Sequence, residues 1–415
     1  MSDRWLDLAA RVEALARSRR VRVALLLLVT LYGVRHVTRA MGDFKVYRRA
    51  AQRMISGEPV YQLEDPHRYL YAPVVTFLFL PLGVLPRPVG KILWFVFNTA
   101  LLVSIFRCSV RLLFPEGRAP PGFYALVLLL SFRFIDNNLG HGQLNILLLW
   151  LVLRAYVDAT CGRCGLAGFA LAAAIAAKIV PAVLLMQILL RRQWRFAACT
   201  AIGFVVLMTV PVLWWGSGYP QVLRDWIAVV VDQAGHYEMG NKINQSIAAF
   251  VYRLTRPYPG GAPLLELPEA AATVITALLH ALFLVPLALL SLRLAAGGRT
   301  EPAGRNGDEL SLYLLYATVA APYSWKYYFV SLIFPFGAAV ARLAGAERRE
   351  FGGALLAVFV LDLLPGLELL GKRLATLFQL WSFHFLAVVV LFALLWRSAF
   401  RRAHAPTFPS SRRVC

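Results

Sequence analysis

The sequence predicts an all-α polytopic integral membrane protein with about twelve transmembrane helices, and three observations predict this class. Hydrophobic residues make up 59% of the 415 residues and charged residues 16%, whereas soluble proteins hold about 45–50% and about 25%. Apolar runs suited to crossing a bilayer recur along the chain, for example Val21–Tyr32, Trp94–Ile105 and Trp381–Trp396 with their flanks. Because these runs are continuous and do not alternate, they exclude an outer-membrane barrel as well as a soluble enzyme.

The chain is strongly basic, with 43 Lys and Arg residues against 22 acids and a net charge of +21. In a membrane protein this excess is typical of the cytoplasmic flanks of the helices, so it does not indicate nucleic-acid binding. Residues 1–21 are no signal peptide. Trp5, Leu8, Val12 and Leu15 fall on one helical face, which predicts an amphipathic helix on the cytoplasmic membrane surface.

The transmembrane domain is predicted over 22–396, with a cytoplasmic tail over 397–415, so both termini are cytoplasmic. The localisation that follows is a bacterial inner membrane. The predicted spans lie near 22–40, 88–110, 121–135, 143–158, 164–178, 179–191, 195–215, 269–293, 308–322, 327–343, 352–368 and 374–396.

Two long extracytoplasmic loops are predicted, over 41–87 and 216–268. The first contains the apolar segment 72–86, which three prolines interrupt, and we interpret it as a re-entrant or interfacial piece. A full span there would place the basic turn Arg191–Arg195 outside, against the positive-inside rule. The long polar loops therefore predict that the chemistry lies on the outer face.

The five cysteines predict neither disulfides nor a metal site. All of them fall on cytoplasmic segments or near the cytoplasmic leaflet of this topology. Cys161 and Cys164 have CxxC spacing, but no second pair or histidine follows nearby, and a structural zinc site needs four ligands. No metal or other cofactor is expected.

Asp43 is the candidate catalytic residue. It stands where the first span leaves the membrane, in Met41–Tyr47, and an acid partly desolvated at that edge can act as a base near neutral pH. The alternative is that Asp43 merely caps the helix that follows. Tyr47 and Tyr71 in the same loop suit the C–H faces of a sugar ring.

All six lysines fall outside in this topology, whereas the other 37 basic residues are arginines. Lys178 ends an apolar run, and a charge at that depth costs about 2.5–3.5 kcal/mol unless a cavity or partner receives it. Lys326 lies at the corresponding predicted membrane boundary of another helical hairpin. Two such cations suit a lipid phosphate, although snorkelling of both side chains to the interface is the alternative.

Other polar clusters also lie outside. Amide side chains such as Gln143, Asn145, Asn244 and Gln245 can pair with sugar hydroxyls. Arg133 lies three residues before Asp136, so a local ion pair is one explanation for it.

Several of these motifs, taken in order, resemble glycosyltransferase family 87, the polyprenol-phosphate-mannose-dependent mannosyltransferases of the GT-C superfamily. The likeness spans about residues 40 to 340. The motifs are Asp43–Tyr47, Gly57 with Tyr61, Tyr71–Pro73 with Leu80–Leu82, Gly142–Asn145, Lys178 with Pro181, Asn244–Ser246 and Ser324–Trp325.

The resemblance implies a GT-C fold, an extracytoplasmic active site, a polyprenyl-phosphate sugar as donor, and inversion from a β-linked donor to an α-glycoside. It implies Asp43 as general base, and Lys45 in the place of a second acid argues against metal binding by this loop. The expected partners are membrane lipids, the donor and a glycan or glycolipid acceptor. The enzyme is expected to be a monomer. Lys178, Lys326, Arg133 and His141 would bind the donor phosphate, and Tyr47, Tyr71, Gln143, Asn145, Asn244, Gln245 and Trp325 the sugar or acceptor.

The main rival is a transporter or flippase of a lipid-linked substrate, since about twelve spans is a common transporter count. Transporters usually show internal repeats and polar groups at the bilayer midplane, whereas here the polar residues gather at one edge. A non-catalytic scaffold would leave Asp43 and Lys178 unexplained. The sugar could be mannose, arabinose, galactose or glucose, and the acceptor a lipid glycan, a polysaccharide or a protein.

Overall fold

The computed structural model describes residues 18–235, 239–258, 260–296 and 307–404. Within these ranges the secondary structure is helical, apart from one bridge between Tyr258 and Gly261, which confirms the all-α class. Most of the amphipathic helix expected over 1–21, and the end of the tail expected over 397–415, lie outside the described residues.

Most helices follow one another closely, but longer connections separate Ser56 from Pro73 and Thr255 from Glu269. Within the described ranges four connections contain 3₁₀ turns: Val180–Ala182, Gly216–Gly218, Lys326–Leu332 and Arg342–Ala344. The α-helices are Arg19–Thr38, Gly42–Ser56, Pro73–Val84, Arg87–Leu113, Phe123–His141, Asn145–Thr160, Cys164–Ala177, Val183–Leu190, Trp194–Thr209, Val212–Trp215, Tyr219–Gly235, Ile247–Thr255, Glu269–Ala296, Gly307–Ala320, Ile333–Ala341, Arg348–Leu363, Leu367–Leu380 and Phe383–His404.

Five helical stretches in the described ranges are long and apolar enough to cross a membrane, or six if the bent pair Phe123–His141 and Asn145–Thr160 forms one span. Their outer faces carry exposed apolar side chains. On Glu269–Ala296, for example, Val274, Leu278 and Leu282 are more than half exposed and recur at helical spacing. This is the pattern of a lipid-facing surface, so the chain is a multi-pass membrane protein; the count of twelve spans stays a prediction.

The segment expected to be re-entrant is the 12-residue helix Pro73–Val84, which packs against Gly42–Ser56. At 1.5 Å per residue it is about 18 Å long, too short to cross a core of about 30 Å. The predicted span 374–396 differs from the structure, because a helix ends at Leu380 and the next begins at Phe383. Ser382, with a φ of 59°, makes the break between them.

The helices give the bundle two chemically different ends. Asn145–Thr160 leads away from Asn145, and Cys164–Ala177 returns to Lys178, whose Nζ donates to Asn145 Oδ1 at 2.9 Å. We call this the site end. At the opposite end, which we call the arginine end, Arg191 lies 4.0 Å from buried Glu309, and Arg342 donates to buried Asp308 at 2.8 Å.

Candidate active site

Asp43 stands in the first turn of the helix Gly42–Ser56, where a carboxylate interacts favourably with the helix dipole. The N-cap is Met41, in the left-handed conformation with a φ of 45°, and no side chain caps the helix there. Asp43 is therefore not the cap. Its helix is fixed by buried Phe44, Tyr47 and neighbouring apolar residues on one face.

Gly142 brings a second segment against the start of this helix. Its φ is 70°, and a Cβ at this position would lie 2.9 Å from Phe44 Cβ and 3.1 Å from Met41 Cε. Both the backbone conformation and the close approach therefore require glycine. Trp94 Nε1 donates to the Gly142 carbonyl at 2.9 Å and holds the turn. Gln143, the next residue, is thereby placed beside Asp43.

The Asp43 carboxyl is mostly buried among groups that favour its charge. Burial raises its pKa above the ordinary value, while His141, a hydrogen bond from Gln143 and the charge of Lys178 act against that rise. A carboxyl whose pKa lies above the ordinary value is a stronger base than a solvent-exposed aspartate, which suits it to accept a proton from a hydroxyl.

Two tyrosines share the Gln143 side chain. The hydroxyls of Tyr47 and Tyr71 donate to Gln143 Oε1 at 3.1 and 3.2 Å, and they lie 3.0 Å from each other. Burial raises the pKa of both tyrosines well above the usual value, so both hydroxyls stay protonated. These bonds to Oε1 orient the Gln143 amide so that its nitrogen can donate to the Asp43 carboxyl.

Lys178 reaches the same site from the break between two helices. Its Nζ donates to Asn145 Oδ1 and lies 3.8 Å from the centre of the Tyr328 ring, a cation–π contact. Asn145 also donates to the Tyr327 carbonyl at 3.3 Å. Behind Lys178 a narrow cavity of about 60 Å³, lined mainly by apolar side chains such as Leu148, runs into the bundle.

A larger cavity of about 590 Å³, which we call the lysine cavity, opens on the other side of His141. His141 Nδ1 is held by the Asn137 carbonyl at 2.8 Å, and its charge acts on Asp43, so the cavity and Asp43 are neighbours. The cavity is lined by Asn137, His141, Lys242, Ile243, Gln245, Trp325, Lys326, Lys372, Gln379 and His384.

Asn244 and Gln245 tie the loops around this cavity together. Asn244 is buried; its Oδ1 accepts from the Ser324 backbone at 2.9 Å and its Nδ2 donates to the Pro322 carbonyl at 3.0 Å. Gln245 Nε2 donates to the carbonyls of Lys242 and Gln379, both at 2.8 Å. These bonds fix Trp325 and Lys326, the residues that follow Ser324.

Arg133 does not line the lysine cavity but a separate, mainly apolar one. Its guanidinium donates to the backbone carbonyls of Asp362 at 2.6 Å and Leu363 at 3.1 Å, where the helix Arg348–Leu363 ends. Asp136 accepts from Tyr32 at 2.9 Å and contacts His36 at 3.2 Å.

The structure thus gathers Asp43, Tyr47, Tyr71, Gln143, Asn145 and Lys178 in one site, and His141, Gln245, Trp325 and Lys326 around the adjoining cavity. Sequence reasoning assigned no site role to Lys242, Lys372 and His384, which line that cavity, or to Asp362, which pairs with His384. The two lysines are visible in the sequence only as charges in predicted loops. The paired acid and histidine were visible only as polar residues within apolar segments.

The chain was compared with known proteins. It is 28% identical over 268 residues to a polyprenol-phosphate-mannose-dependent α-(1-2)-phosphatidylinositol pentamannoside mannosyltransferase of Mycolicibacterium smegmatis, a match covering 65% of this chain and 60% of that relative. A protein of the same description from Mycobacterium tuberculosis is 26% identical over 355 residues, covering 80% and 76%. An α-(1->3)-arabinofuranosyltransferase of M. tuberculosis is 31% identical over 179 residues, or 41% of each chain.

No solved structure gives a significant match. The family model of glycosyltransferase family 87 matches residues 69–308, a range that contains Tyr71, Gln143 and Lys178 but begins after Asp43. In the fold, however, Asp43 contacts Gln143 and lies close enough to Lys178 to interact with its charge, so it belongs to the same site as the matched residues. With its helical membrane architecture and a match over more than half of its length, the chain belongs to glycosyltransferase family 87.

Proposed function

We propose that the protein is a membrane glycosyltransferase that moves a sugar from a polyprenyl-phosphate donor to a hydroxyl of a lipid-linked or envelope glycan. Mannose is the first candidate, because two of the relatives above are described as dependent on polyprenol-phosphate-mannose. The observation that carries the proposal is the environment of Asp43: a buried carboxyl that accepts from Gln143 and interacts with His141 and Lys178. Such a group is suited to deprotonate an acceptor hydroxyl.

In this reaction the acceptor oxygen attacks the anomeric carbon and loses its proton to Asp43. The bond from that carbon to the phosphate oxygen breaks, and the lipid leaves as a phosphate monoester with added negative charge. In an inverting displacement the attacking and leaving groups lie on opposite faces of the sugar, which converts a β-linked donor to an α-product. Lys178, His141 and Lys326 supply positive charge on either side of the site to stabilise the departing phosphate.

The other predicted site residues have roles that follow from their positions and contacts. Tyr47, Tyr71 and Trp325 offer ring faces and donors to the sugar. Asn145 holds Lys178. Asn244 and Gln245 position the loop that carries Trp325 and Lys326, and Arg133 holds the end of the neighbouring helix.

We propose that transfer needs no metal. In the described part of the chain, no three His, Cys, Asp or Glu side chains are grouped so that they could hold a metal ion. The positive charge that the leaving phosphate requires would come from the lysines and His141. Transfer in excess EDTA should proceed at the untreated rate, and a loss restored by added Mg²⁺ or Mn²⁺ would contradict the proposal.

The extracytoplasmic location of the site is supported by charge. The arginine end carries Arg191, Arg342, Arg397, Arg401 and Arg402, paired with buried or half-buried acids, and clusters of this kind mark the cytoplasmic side. The site end holds Lys178, Lys326 and Lys372. We propose a protein of the bacterial inner membrane whose site faces outward, acting as a monomer.

The first test is sugar transfer by purified protein, with a panel of polyprenyl-phosphate sugars and a glycolipid acceptor. Asp43→Asn should lower kcat by about 10²–10⁴-fold, the usual contribution of a general base, while donor affinity is retained. Glu64→Gln is the matched control, since Glu64 is an exposed acid of the same loop, and it should transfer at the wild-type rate. Full activity of Asp43→Asn would remove Asp43 from the mechanism. No transfer by folded wild type with any donor would favour a flippase.

A further inference from the structure

A buried acid–histidine pair faces the lysine cavity, and the mechanism above does not use it. His384 Nδ1 lies 2.8 Å from Asp362 Oδ1, and the two residues are 1% and 5% exposed. They join the end of the helix Arg348–Leu363 to the start of Phe383–His404. The rings of Phe134 and Phe329, with centres 5.6 and 5.5 Å from the imidazole, pack around it.

The pair leaves two buried polar atoms, Asp362 Oδ2 and His384 Nε2, without a hydrogen-bond partner among the described residues. Because Nδ1 is engaged by the Asp362 carboxyl, the second ring nitrogen, Nε2, is left to bind something else. It is buried and has no hydrogen-bond partner among the described residues, and Trp325 Nε1 is in the same state. Both side chains line the lysine cavity. Buried polar atoms without partners are uncommon in native proteins, and three side chains that line this cavity carry one: His384 Nε2, Trp325 Nε1 and Gln245 Oε1. Their convergence on one cavity indicates an absent ligand.

The charge of the cavity defines the ligand. Lys242, Lys326 and Lys372 line it, and none of its lining residues is an acid; the Asp362 carboxylate lies behind His384. Lys242 Nζ is held by Thr376 Oγ1 at 3.1 Å, which directs this lysine. The available groups are therefore mainly N–H donors, three of them lysine ammonium groups, and they match the several oxygens of a phosphate ester. The volume of about 590 Å³ lies within the roughly 300–1,000 Å³ of small-molecule sites.

We propose that the lysine cavity is a phosphate-ester site and that His384, oriented by Asp362, contacts the phosphate through Nε2. With Nδ1 engaged by the Asp362 carboxyl, His384 donates a hydrogen bond from Nε2–H to a phosphate oxygen, beside the Trp325 indole and the three lysines. The identity of the lipid that carries the phosphate rests on the proposed function. The phosphate belongs either to the polyprenyl donor or to a phospholipid-anchored acceptor.

The test measures lipid binding without turnover. Purified protein in nanodiscs is titrated with undecaprenyl phosphate, with phosphatidylinositol, and with uncharged undecaprenol. His384→Gln and Lys372→Gln should each weaken binding of a phosphate lipid by about 10- to 100-fold, the value of one charged hydrogen bond. Binding of undecaprenol should not change. Lys372 is exposed, so its variant remains informative if His384→Gln does not fold.

The pattern of loss identifies the source of the phosphate. Loss for undecaprenyl phosphate assigns the cavity to the donor, and loss for phosphatidylinositol assigns it to the acceptor. Lys45→Gln, at an exposed lysine outside the cavity, is the matched control and should bind all three lipids normally. Unchanged affinity for both phosphate lipids in the cavity variants, or equal loss for undecaprenol, would overturn the proposal.

Kinetics separate this proposal from the proposed function. Asp362→Asn should raise KM for the phosphate substrate and leave kcat within about twofold, because Asp362 acts through the orientation of the His384 ring. Asp43→Asn should lower kcat and bind the phosphate lipids normally. A fall in kcat for Asp362→Asn without any change in KM would show that the pair serves something other than phosphate binding.

Discussion

The state of the Asp43 carboxyl sets the expected pH dependence of transfer. A general base works only when deprotonated, and burial raises the pKa of Asp43 above its ordinary value. The rate should therefore fall as the pH drops through that raised pKa, at a pH above the value of about 3.9 usual for aspartate. A kcat–pH profile of the wild type checks this. A rate that stays constant down to pH 4 would contradict it.

Gln143 and Lys178 both favour the carboxylate form of Asp43. Replacing either of them should move the acidic fall in transfer rate to higher pH. Gln143→Met keeps the side-chain length but deletes the hydrogen bond to Asp43, and Lys178→Met deletes a positive charge near it; both groups lower the pKa of Asp43. Each variant should need a higher pH to reach its maximal rate. Gln221→Met, at an exposed glutamine remote from Asp43, should leave the profile unchanged. If the fall in rate shifts to lower pH instead, Gln143 and Lys178 do not lower the pKa of Asp43.

At the scale of elements, the turn at Gly142 sets the distance between Gln143 and the helix of Asp43. Gly142→Ala adds a Cβ 2.9 Å from Phe44 and takes a left-handed backbone, so it should lower both Tm and transfer. Gly117→Ala is the matched control, since Gly117 has a φ of 68° and open space around its Cα. It should cost only the backbone strain, about 1–2 kcal/mol, with normal transfer. Equal effects of both variants would show that the contact with Phe44 is unimportant.

The elements were predictable where hydropathy alone decides them. The expected span 269–293 corresponds to Glu269–Ala296, because long apolar runs in a membrane have few alternatives to a helix. The boundary at Ser382 was not predictable. Apolar residues continue on both sides of it, and the helix is broken by the left-handed backbone of Ser382, a conformation that its residue type does not signal.

The site, like the helices, has some residues that could be predicted from the sequence and others that could not. Asp43, Gln143 and Lys178 could be predicted together, because each stands next to the end of an apolar segment at the same edge of the predicted bundle, and helices that return to one edge bring such residues into contact. The pair of Asp362 and His384 could not be predicted. These residues are separated by 22 positions and two helix ends, and their meeting depends on how the last helices cross.

For the whole molecule, the contrast between the two ends of the bundle predicts its orientation. Lys372 at the site end and Arg192 beside Arg191 at the arginine end are both exposed. In a background without the five native cysteines, Lys372→Cys should react with a membrane-impermeant maleimide in intact spheroplasts, and Arg192→Cys only after lysis, because arginine-rich ends stay in the cytoplasm. The reverse labelling would place Asp43 and the lysine cavity on the cytoplasmic face, where the donor and acceptor would have to be reached from the inner leaflet.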